Sequence, residues 1–121
     1  MQILIVGNSV IINERIISLI QENGIDALCT ATISEDAIAV SKAINPTIIF
    51  LVLDFHTKKF LELFKKIKRA NREADFILLF DKIESAAAEE YKSLGVNFIF
   101  DKYHEFELIP AAINSLVLTN K

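Results

Sequence analysis

Apolar residues in this chain come in short, unbroken runs that alternate with longer stretches of helical spacing. Ile3-Leu4-Ile5-Val6 is wholly apolar and closed by Gly7, the pattern of a strand buried on both faces. Ile12, Ile16, Leu19 and Ile20 then recur at intervals of three and four, so they share one helical face, and Gly24 stands where a helix C-cap belongs. Ala27 to Ala31 reads as a second strand. Ser34 is expected to cap a helix running to about Ile44, with Glu35 and Asp36 favourable to its dipole and Asn45-Pro46 ending it.

Thr47 to Leu53 carries the strongest strand signal. A helix is expected from about Lys58 to Asn71, with Phe60, Leu63, Phe64, Ile67 and Ala70 as its apolar side. Phe76 to Phe80 gives a fourth strand, and Ser85 to Leu94 a fourth helix stopped by Gly95. Asn97 to Phe100 gives a fifth strand, and Phe106 to Leu118 a last helix that tolerates Pro110 only near its first turn. Strand then helix, five times over, predicts an α/β fold. Its form is a three-layer, doubly wound, five-stranded parallel sheet in the order 2-1-3-4-5, built as one domain over residues 1–121. Sites in such folds lie at the carboxyl ends of the strands. That directs attention to Gly7, Asn8, residues 52–55, Phe80, Asp81, Asp101 and Lys102.

Composition narrows the classes of function. A net charge of −3 gives no reason to expect nucleic acid or a membrane surface as partner. The longest strongly apolar run, Ile48 to Leu53, is too short to span a bilayer. Cys29 has no second cysteine to pair with, which suits a cytoplasmic setting, and its place in a strand suggests a core residue. Gly7-Asn8-Ser9 lacks the spacing of a dinucleotide loop. Ser9 and Ser34 read as helix caps, and His56 and His104 as isolated loop residues, so no catalytic constellation or cofactor site emerges and no enzymatic activity is expected.

The alternation, Ile3 to Val6, Asn45-Pro46 before the third strand, Leu61-Glu62-Leu63 leading to Ile67-Lys68, and Gly95 seven residues before Lys102 together resemble the receiver domains of bacterial response regulators. The resemblance covers nearly the whole chain, and its polar motifs depart from the family. The acidic pair that would hold Mg²⁺ falls on Gly7 and Asn8, which offer at most one neutral oxygen where a hard cation wants charged ligands. The phospho-acceptor position falls on Val52, which cannot be a nucleophile. The hydroxyl position falls on Phe80, placed near the phosphoryl pocket, and the switch aromatic on Ile99. Lys102 alone matches, and Tyr103 replaces the proline that usually follows it.

The resemblance therefore implies an atypical receiver that signals without phosphorylation, by binding another signalling protein or a histidine-kinase-pathway component. An alternative is a working phospho-receiver using Asp54, two residues past Val52, although both flanking anchors argue against such a slip. A small-ligand-binding domain on the same flavodoxin-like scaffold is a third reading. Asp54 is expected to begin a loop, solvated or paired with Lys102. Asp54, Asp81 and Asp101 at strand ends suggest at most a weak cation site, and no metal is expected. The family's docking face implies partner or homodimer contacts through the fourth helix, fifth strand and fifth helix, lined by Ala88, Ile99 and Ala112. Seven basic residues between Lys58 and Arg72 form the densest charge, read first as a solvated outer face and second as a dock for an acidic partner.

Overall fold

The computed structural model describes residues 1–55 and 57–119, without the side chains of Asp54, Phe55 and Thr119. Five strands form one parallel sheet in the order β2-β1-β3-β4-β5. They are β1 (Gln2–Val6), β2 (Leu28–Thr32), β3 (Ile48–Phe55), β4 (Asp75–Lys82) and β5 (Phe98–Asp101). The helices are α1 (Val10–Glu22), α2 (Ala37–Ile44), α3 (Lys58–Ala70), α4 (Ser85–Ser93) and α5 (Ile109–Thr119). The α/β class, strand order and fivefold alternation are those the sequence predicts.

Side chains alternate across the sheet and build two cores. Ile3, Ile5, Phe50, Val52, Ile77 and Leu79 face α1 and α5, whose Ile16, Ile20, Ile109 and Ile113 cover them. Leu4, Val6, Ile49, Leu51, Phe76, Leu78 and Phe80 face the other way, onto Ala37, Phe60, Phe64, Ile67 and Tyr91. Burial of both faces explains why the central strands read as continuous apolar runs. Gly24 and Gly95 follow α1 and α4 with φ of +69° and +105°, conformations that favour glycine.

Several boundaries differ from the sequence reading for local reasons. Ser34 opens a short 3-10 turn over Ser34–Asp36, so α2 begins only at Ala37, with Asp36 and not Ser34 at its N-cap position; the Ser34 N–H donates to Asn8 Oδ1. Phe106–Leu108 forms a similar turn, so α5 begins at Ile109 and Pro110 falls in its first turn. On α3 the chain buries Leu61 and leaves Ala70 exposed. Cys29 is only half-buried, since β2 is an edge strand. β3 continues to Phe55 and β4 to Lys82, in register with each other, so Asp54 and Asp81 lie within strands and do not begin loops.

Candidate functional site

The carboxyl ends of β1 and β3 open on a hollow of about 340 Å³, lined by Asn8, Ser9, Ser34, Val52, Leu53, Thr57, Phe60 and Lys102. Two helices start at its rim. Ser9 caps α1 by accepting the Ile12 N–H at 3.3 Å. Thr57 caps α3 by accepting the Phe60 N–H at 3.1 Å, a cap the sequence reading did not single out.

Gly7 has an unforeseen partner. Asn13 of α1 is buried, and its Nδ2 donates to the Gly7 carbonyl at 2.9 Å. A Cβ placed on Gly7 would lie 2.6 Å from Asn13 Oδ1 and 3.1 Å from Val52 Cβ. The amide of Asn13 thus fills the space a side chain at position 7 would need. Among the described residues Asn13 Oδ1 has no hydrogen-bond partner. The Gly7 carbonyl takes the amide's only paired atom and so sets its orientation.

Asn8 is equally committed. Its Oδ1 accepts the Ser34 N–H at 3.1 Å, tying the end of β1 to the turn before α2. Val52 is 8% exposed and packs with the α1–α5 core. Position 7 therefore has neither a donor nor room for one, position 8 has one neutral oxygen already engaged, and position 52 is aliphatic. These residues do not fit the Mg²⁺ that the receiver fold implies.

Phe80 does not line this hollow. Its side chain packs in the core that also holds Phe60, where its ring lies 5.7 Å from that of Tyr91 on α4. Tyr91 also meets Phe64 at 5.6 Å and Phe60 at 6.4 Å, so the end of β4 is bonded into an aromatic cluster with α3 and α4. Burial, with a smaller contribution from Glu90, pushes the Tyr91 hydroxyl well above its usual range, so it stays protonated.

Lys102 is 4% exposed at the edge of the hollow, its Nζ 5.4 Å from the Tyr103 ring centre. Asp101 serves the turn that follows β5. Its Oδ1 accepts the N–H groups of His104 and Tyr103, both at 2.8 Å, and lies 3.1 Å from His104 Nδ1. The His104 N–H first, and then that of Tyr103, hold the Asp101 carboxyl below its ordinary pKa. Asp81 lines a different hollow together with Asp101. No cluster of three potential metal ligands occurs among the described residues. The Asp54 side chain, and with it the proposed pairing to Lys102, lies outside the described residues, as does His56. His104 is exposed, as a loop histidine should be.

The second hollow, about 420 Å³, lies along β5 and α4 and brings together Phe80, Ala88, Lys92, Ile99 and Glu105. β5 is an edge strand, so this surface flanks an open sheet edge. Ala112 does not belong to it. It is 4% exposed in the α1–α5 core, at the inward spacing set by Ile109, Ile113 and Leu116. The outward expectation for that residue is corrected on these grounds.

Comparison with solved structures places this architecture among receiver domains. The chain is similar to a DNA-binding response regulator of the LuxR family from Staphylococcus aureus (TM-score 0.78, 18% identity, 95% of this chain and 97% of the other). It is similar to the pilus assembly protein CpaE from Caulobacter crescentus CB15 (TM-score 0.78, 12% identity, 95% and 98%). It is also similar to an atypical orphan response regulator described as having a phosphorylation-independent regulatory mechanism (TM-score 0.75, 17% identity, 98% and 96%). At these identities the likeness establishes the fold. No family model and no curated protein matches the sequence. No helix among the described residues is long and apolar enough to cross a membrane.

Proposed function

We propose that this chain is an atypical response-regulator receiver domain that acts by protein–protein interaction without phosphorylation. One observation carries the reading: the Asn13 amide packed against Gly7. A receiver that takes up a phosphoryl group needs a metal to shield the incoming charge. Here the first ligand position is a glycine, and the space beside it holds an amide hydrogen-bonded to the glycine's own carbonyl. The likeness to an orphan regulator with a phosphorylation-independent mechanism supports the same reading.

The partner is a signalling protein or a second copy of the chain, bound through α4, β5 and α5. Ala88 and Ile99 share the hollow on that side, and neither carries a charge that would need desolvation. The packing of Phe80 against Tyr91 leaves β4 without the hydroxyl that would couple a phosphoryl group to α4. The face is then held in one conformation and read constitutively. The test is a backbone amide NMR titration with a phosphoryl-group mimic and Mg²⁺. Unchanged resonances in α4 and β5 support the proposal. Shifts that propagate from the β3 end into α4 overturn it.

A further inference from the structure

Charge is distributed very unevenly along this chain. Residues 58–73 hold seven basic and two acidic side chains, a net of +5, while the remainder holds six basic and fourteen acidic, a net of −8. Within the basic segment, Lys65, Lys68, Arg69 and Arg72 follow the spacing i, i+3, i+4, i+7, which places them on one stripe. With Phe64 beneath them and Leu94 opposite, at the end of α4, they line a groove of about 330 Å³. Leu94 is half-buried there.

The helix dipole does not account for the stripe. It favours cations in the last turn, where Lys68 and Arg69 lie, but Lys65 sits a turn earlier and Arg72 lies past the helix end. Internal neutralisation is also slight. Lys65 meets Glu62 at 3.6 Å, and among the described residues Arg69 and Arg72 form no ion pair. Lys68 is held across Gly95, where a Cβ would lie 3.1 Å from its Cε, and its Nζ sits 5.0 Å from the centre of the Phe76 ring. One cation is therefore pinned at the groove floor while two project freely from its wall.

We propose that this groove docks a short acidic polypeptide segment carrying one apolar side chain, which seats against Leu94 between the cations. The charge map argues for a short segment. A long polyanion such as nucleic acid would run past the groove onto a chain whose residues outside 58–73 sum to −8, and an anionic bilayer would face the same overall repulsion. A short segment meets only the cations. The mostly aliphatic walls, made of lysine and arginine stems and Leu94, favour burial of an apolar group rather than a bare anion. The dock is separate from the α4–β5–α5 surface and does not depend on it.

The test is an amide NMR titration of the full chain with four probes. They are a Glu/Asp-rich peptide with a central Phe, the same peptide with Ser in place of Phe, an oligothymidylate, and phosphatidylserine vesicles. The Phe peptide is expected to shift resonances confined to residues 64–72 and 94–95. Its affinity should fall by about tenfold or more in the R69E/R72E double variant, and again when salt rises from about 0.05 to 0.5 M. The Ser peptide should bind several-fold more weakly. Arg69 and Arg72 are exposed, so the double variant should keep the wild-type melting temperature. Absence of shifts at the groove overturns the proposal. So does equal binding by R69E/R72E, or binding of the oligonucleotide or vesicles there as tight as that of the peptide.

Discussion

Asn13 occupies the volume that a side chain at Gly7 would need, and it holds that place by donating to the Gly7 carbonyl at 2.9 Å. On the receiver reading proposed above, the pair closes the first metal-ligand position from within. Restoring an acidic residue at position 7 therefore requires displacing a buried amide as well as adding a carboxylate.

Gly7→Ala should destabilise the fold by about 1–3 kcal/mol through overpacking against Asn13 Oδ1 and Val52. Asn13→Ala alone loses a buried hydrogen bond, at a cost of about 1 kcal/mol. Combined, the two should cost less than their sum, because the second removes the clash created by the first. Urea unfolding of the four proteins measures the interaction. A neutral Gly7→Ala would show that the amide moves aside freely.

Ala88 and Ala112 should behave differently when each is changed to Glu. Ala112 lies in the α1–α5 core, so its carboxylate would be buried without a partner and should cost about 3 kcal/mol or more. Ala88→Glu should stay within about 1 kcal/mol of wild type and weaken association through the α4–β5 surface. Thermal melts and sedimentation velocity separate the two effects. Wild-type association by Ala88→Glu would exclude that surface.

Phe80 should matter through packing. Its ring is 1% exposed and meets Tyr91 at 5.7 Å. Phe80→Ala should cost about 3–5 kcal/mol. Phe80→Thr, which supplies the hydroxyl usual in receivers, should be similarly destabilising and bring no phosphoryl response. A stable Phe80→Thr protein would contradict the role given to the aromatic cluster.

Asp101 ties the turn after β5 to the sheet, and the His104 and Tyr103 N–H groups hold its pKa low. A carboxyl with a depressed folded pKa contributes stability above its unfolded pKa, and that contribution is lost as pH falls through the folded value. Asp101→Asn should therefore lower the melting temperature at neutral and alkaline pH, where the ionised carboxylate contributes, and flatten the fall of the profile below the ordinary carboxylate range. The Asp101 side-chain carboxyl resonance, followed through an acid titration, gives the direction of the shift independently.

The alternation of apolar runs and helical spacings made the fold legible, because a sheet buried on both faces leaves no polar interruptions in its central strands. That Gly7, Asn8 and Val52 carry no charged ligand or nucleophile is read directly from the sequence. The buried partner of Gly7 was not foreseen, although Asn13 stands three residues before Ile16 and seven before Ile20, on the inward stripe of α1. A polar residue at an inward position signals a buried partner. Ala112 carried a similar signal through Ile109, Ile113 and Leu116, which the family's docking face overrode. The ends of β3 and β4 were less accessible. Both strands extend past their apolar runs to Phe55 and Lys82, and their terminal polar residues read as loop.

The most direct test of phosphorylation-independent function is labelling with radioactive acetyl phosphate in the presence of Mg²⁺. Wild type, Val52→Asp and Asp54→Asn are compared after denaturation at neutral pH. The account predicts no acyl-phosphate in any of them. Val52→Asp restores a carboxylate but leaves Gly7, Asn8 and the Asn13 amide as they are. Label on the wild type that disappears in Asp54→Asn would contradict it.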